Sequence, residues 1–88
     1  MSVQTGDQNR VLVHVRPMLE RLDRATGSDP FASSSFHRLC TSLGIAHSLR
    51  PDLWRTLVVQ GLVTDAGNGE IGLAEGGLRL VAASRRRR

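Results

Sequence analysis

Apolar residues near the start of the chain recur three and four apart, at Leu12, Val15, Leu19 and Leu22, with Val11 and Met18 widening the same stripe. This is the spacing of one helix face, and it predicts an N-terminal helix over residues 7–25 that starts at Asp7. Pro17 falls inside it and predicts a kink, because proline removes a helical hydrogen bond. The β-branched run from Val11 to Val15 leaves a second arrangement open, a strand followed by a helix that Pro17 initiates. Residues 1–6 are polar and without period, and are predicted to be disordered.

The central stretch, residues 36–63, carries two further helical patterns. Phe36, Leu39, Cys40 and Leu43 belong to the first, and Leu49, Leu53, Leu57 and Val58 to the second. Gly44 between them suits a left-handed C-cap, after which Ile45 turns into the angle between the helices. Ser48 is the candidate cap of the second helix, residues 49–60, and Pro51 sits in its first turn, where a missing N–H costs nothing. Two short helices meeting at a tight corner form a helix-turn-helix. Thr26 to Ser35 is the connector ahead of it, and the serine run Ser33 to Ser35 offers an N-cap to the helix at Phe36.

Beyond Gly61 the period changes. Leu62-Val63-Thr64 and Glu70-Ile71-Gly72-Leu73 flank Asp65-Ala66-Gly67-Asn68-Gly69, and Asn-Gly between apolar runs predicts a β-hairpin over residues 62–73. Helical spacing returns with Leu78, Val81 and Ala82, predicting a C-terminal helix over residues 75–84 whose first turn Gly76-Gly77 weakens. The fold class is therefore mainly α with a small β-hairpin. Its predicted core is Phe36, Leu39, Leu43, Ile45, Leu53, Trp54, Leu57, Leu62, Ile71 and Leu73.

Length limits this arrangement to a single domain over residues 1–88, with a core small enough to favour a partner subunit. Cys40 is the only cysteine, lies on the apolar face of a helix and reads as a core residue. No apolar run has membrane-spanning length and no signal-peptide pattern opens the chain, so a cytoplasmic protein is expected. All twelve cationic residues are arginine, and Arg85, Arg86, Arg87 and Arg88 are four of them. Residues 1–84 are formally neutral, so the net charge of +4 is a property of the tail. Helical packing runs out ahead of it, and the tail reads as a mobile charge cluster suited to nonspecific phosphate contact.

The segment LGIAHSLRPDLWRTLVVQGLV, the glycine-rich hairpin and IGLAEGGLRLV, taken in that order, resemble the winged helix-turn-helix domains of MarR-like and PadR-like transcriptional regulators. The resemblance covers roughly half the chain and implies a winged-helix fold that binds double-stranded DNA, with helix 49–60 in the major groove. It implies DNA contacts from His47, Ser48, Arg50, Asp52, Arg55 and Thr56 on that helix and from Asn68 at the wing tip, with Arg50 and Arg55 donating to guanine edges or phosphates. The chain departs from the pattern at Arg50, where an aliphatic residue is usual, and at Ala74, where a capping threonine is usual. Its wing tip, Gly67-Asn68-Gly69, also has no arginine or lysine.

The stripe of Leu12, Val15, Leu19 and Leu22 is wider than one small domain needs, which predicts a homodimer with these residues at its interface. His37 and Cys40 are too few for a metal site, and no nucleophile with a base, paired carboxylates or phosphate-cradling loop appears. No enzyme, cofactor or metal is expected. Two functions from different classes remain: a small dimeric DNA-binding regulator, and a winged-helix module that docks onto a protein partner without reading DNA.

Overall fold

The computed structural model describes residues 2–27, 29 and 31–86, and the side chains of residues 10–27, 29, 31–84 and 86. The chain runs α1 (Ser2–Thr26), β1 (Ser34–Ser35), α2 (Phe36–Leu43), α3 (Arg50–Val59), β2 (Val63–Gly67), β3 (Glu70–Leu73) and α4 (Glu75–Arg86), with a single 3₁₀ turn, His47–Leu49, leading into α3. It is mainly helical, with one three-stranded antiparallel sheet in the order β1-β3-β2. No helix among the described residues is long and apolar enough to cross a membrane.

The N-terminal pattern is one helix, and it is longer than its apolar stripe predicts. It begins at Ser2 rather than Asp7, so residues 2–6, expected to be disordered, are its first turns. The alternative strand over residues 11–15 does not form. Pro17 is accommodated inside the helix because it and Val13 are both exposed, which leaves the carbonyl that loses its N–H partner on the watered side.

This helix is the spine of the molecule, and α2, α3, α4 and β3 all pack on it. Val11, Val15, Met18, Leu19 and Leu22 are buried together with Phe36, Leu39, Cys40, Ile45, Leu53, Leu57, Val63, Ile71, Leu73 and Val81. Leu43, Trp54 and Leu62, expected in the core, are partly buried against it. The predicted dimer stripe is therefore corrected: Val15, Leu19 and Leu22 lie inside the protomer's own core, and of the four only Leu12 is exposed, at 49%. The stripe is wide because one helix serves three other helices and a strand.

Ser35 caps α2, its hydroxyl accepting from the Arg38 N–H at 3.3 Å, and Gly44 ends the same helix at φ 70°, the left-handed geometry its position predicts. Ser34 and Ser35 also pair with Ile71 and Glu70, a third strand that no apolar alternation announces. The hairpin turns through Asn68 at φ 55° and Gly69 at φ 78°, both positive as a two-residue turn of the favoured twist requires. Gly76 and Gly77, which look like helix weakeners, have a packing reason. A Cβ on Gly77 would overlap the Leu62 carbonyl oxygen, and one on Gly76 would lie 2.7 Å from the Gly61 carbonyl oxygen. The start of α4 thus crosses directly over the backbone that leaves α3. Its far end reaches Arg86, tied to α1 by Ser84, whose hydroxyl donates to Glu20 Oε2 at 2.8 Å. Arg85 and Arg86 thus continue a helix rather than open a loose tail, and Arg87 and Arg88 lie outside the described residues.

Candidate functional site

The corner between α2 and α3 presents the residues singled out by the sequence. His47 and Ser48 are exposed in the 3₁₀ turn, and Leu49, not Ser48, occupies the cap position of α3, with no side-chain cap there. The 3₁₀ turn displaces the helix start by a residue and takes Ser48 out of capping register. Asp52 and Arg55 are exposed on the outer face of α3, and Thr56 is half-buried with its hydroxyl donating to the Asp52 carbonyl at 2.8 Å. Val58 and Val59 extend the same side, Val59 being 77% exposed. Asn68 is exposed at the hairpin tip and Arg86 near the end of α4.

Arg50 does not belong to this outer face, which corrects its assignment as a DNA-contacting residue. It is 6% exposed and turned into the corner, where Nε and Nη2 both donate to the Ile45 carbonyl at 3.2 and 3.0 Å. Its Nη1 lies 3.3 Å from His37 Nδ1. Arginine has only donors, so in this contact the guanidinium is the donor. An aliphatic side chain here would leave the Ile45 carbonyl without these donors, which the guanidinium supplies. Among the described residues no carboxylate forms an ion pair with Arg50. Cys40 is near enough to feel the same charge. Burial pushes its thiol above the usual range and the Arg50 charge pulls the other way, leaving a neutral core thiol.

Between this corner and the hairpin lies a cleft of about 430 Å³. His37, His47 and Arg50 line its helical wall, and Asp65, Asn68 and the adjoining glycine backbone line the hairpin wall. Phe36 and Trp54 also line it, their rings edge to face with centroids 5.1 Å apart. Three predicted contact residues, His47, Arg50 and Asn68, are therefore gathered around one cavity, while Asp52, Arg55 and Thr56 stay on the outer side of α3. The cleft also enlists His37, Trp54 and Asp65, which periodicity assigns to helix faces and a turn. The signal that could have found them is the polar Arg50 at an otherwise apolar helical position. Among the described residues no group of three or more His, Cys, Asp or Glu side chains is placed to hold a metal ion.

The sequence matches no family model, and neither a curated protein nor a solved structure is similar to it at a significant level.

Proposed function

We propose that this chain is a winged-helix binding module that contacts double-stranded DNA through the outer face of α3, as a small regulator rather than an enzyme. The observation that carries the reading is the arrangement of α3. A helix held at a fixed corner by Gly44 and Arg50 leaves its outer face uncovered, with Arg55 exposed at its middle and a hairpin beside it. The hairpin β2–β3 that follows directly on α3 supports the winged-helix reading. Arg55 is then the α3 arginine available to a base edge, with Arg38, Arg86 and the remaining terminal arginines supplying phosphate contact. With one arginine exposed on the reading helix, discrimination falls on few base positions, and a pair of copies on two half-sites extends it.

Selection from a random duplex pool tests this reading. An enriched motif supports it, and an inverted repeat among the enriched sequences supports the homodimer as well. The second reading, docking onto a protein partner, is favoured by the exposed Val58 and Val59 on the same helix and by a hairpin that carries Asp65 and Glu70 but no cation. Recovery of a pool without enrichment transfers the assignment to that reading.

A further inference from the structure

The cleft between α3 and the hairpin contains a cation that its surroundings do not neutralise. The Arg50 guanidinium is buried, has no carboxylate partner among the described residues, and gives its hydrogen bonds to a carbonyl and an imidazole nitrogen. A buried charge in that state favours an anion beside it. A guanidinium has five N–H groups, so two remain beyond the three bonds described. The His37 ring and the exposed His47 line the same cleft. This many donors suits the three oxygens of a phosphate monoester better than the two of a carboxylate.

The opposite wall has different chemistry. Asp65 supplies acceptor oxygens, one of which already accepts from the Gly67 N–H at 2.9 Å, and the Asn68 carboxamide supplies both a donor and an acceptor. The half-buried Trp54 adds an aromatic ring to the lining, packed edge to face against Phe36. A cation, an aromatic ring and hydrogen-bonding groups gathered in one cleft match the parts of a nucleotide: a phosphate, a planar base and the donors and acceptors on its rim. The cavity volume of about 430 Å³ falls within the range of small-molecule sites, about 300–1,000 Å³.

From this juxtaposition we propose that the cleft binds a free mononucleotide, with its phosphate at Arg50, His37 and His47, its base against Trp54 and the base edge at Asp65 and Asn68. The end of a single strand carries the same chemistry. The free nucleotide is the source proposed because a cleft of this volume is filled by one nucleotide unit. The site stands whether or not α3 reads a duplex.

Calorimetric titration of the full chain with AMP, GMP, CMP and UMP at low salt tests the proposal, with backbone amide shifts recorded alongside. Saturable binding of at least one of the four, tighter than about 1 mM, with shifts at His47, Asn68 and Gly69, is the expected result. The matching nucleoside and inorganic phosphate should each bind at least about tenfold more weakly. His47→Ala removes an exposed donor and should weaken binding about tenfold while leaving the urea midpoint unchanged. Asp65→Asn should alter the ranking of the four bases. The proposal is overturned if none of the four binds, if phosphate alone binds as tightly, if the shifts map elsewhere, or if only a single-stranded oligonucleotide binds. Duplex binding is measured separately on the same preparation. Nucleotide binding without duplex binding removes the DNA reading and leaves this one, and the converse removes this one alone.

Discussion

Arg50 and Ile45 close the corner between α2 and α3: two guanidinium nitrogens of one residue converge on the carbonyl oxygen of the other. The contact spans five residues and satisfies a carbonyl that no helix uses. Arg50→Met keeps the aliphatic stem but removes the donors, so it should cost about 1–3 kcal/mol, the penalty of an orphaned buried acceptor. Urea denaturation measures this, and wild-type stability in the variant would show that the corner does not depend on the contact.

Leu19 is enclosed by the core of its own protomer. Leu19→Ala should therefore destabilise by about 2–5 kcal/mol, as a buried truncation does. Leu19→Glu should unfold the chain rather than release a folded monomer. Sedimentation together with circular dichroism separates these outcomes, and a folded Leu19→Glu monomer would contradict the packing of α1.

Gly77 inverts the usual rule for helices. Alanine normally gains up to about 1 kcal/mol over glycine in a helix interior. Here the added Cβ meets the Leu62 carbonyl, so Gly77→Ala should lose stability and displace the start of α4. A thermal midpoint raised by Gly77→Ala would rule out this close approach.

Arg55, exposed on α3, is the residue whose loss should affect duplex reading. In the proposed DNA complex Arg55→Ala should relax discrimination by about 1–3 kcal/mol at one base position per half-site. Competition binding against single-base variants of the selected site provides the measurement, and unchanged discrimination would remove Arg55 from base readout.

The terminal arginines give a separate prediction for the same complex. Truncation after Ser84 should flatten the salt dependence by up to about 0.9 in log–log slope for each phosphate no longer neutralised, while sequence preference survives. If the slope is unchanged, the tail does not touch DNA. If preference disappears with it, the tail reads bases.

Much of the fold is legible in the sequence because local rules decide it. Gly44 and the Asn68-Gly69 pair require backbone angles that few other residues adopt, so the corner and the hairpin announce themselves. The N-terminal stripe is equally plain, but periodicity records that a face is apolar and not what covers it, so Leu19 and Leu22 read as an interface. Ser34 and Ser35 form a strand through backbone pairing alone, without side-chain alternation to reveal it. Arg50 misleads because a charged residue at an apolar position is ordinarily turned outward, and only the three-dimensional position of Ile45 provides a reason to turn it in. The cleft is hidden for a related reason: its walls come from separate stretches of chain at α2, at the start of α3 and at the hairpin, and no local pattern joins them.

The short strand β1 determines how the two walls of that cleft can move. Ser33 Oγ donates to Glu70 Oε1 at 2.9 Å, Ser35 pairs with Glu70, and the Phe36 N–H donates to the Gly69 carbonyl at 3.0 Å. These bonds moor the base of the hairpin turn to the first residue of α2. A hairpin so moored cannot swing away from the helices without breaking hydrogen bonds at the root of α2, where Phe36 is buried in the core. The gap between the hairpin and α3 is thus a fixed aperture, and whatever enters it meets a surface already ordered, with little conformational entropy left to lose.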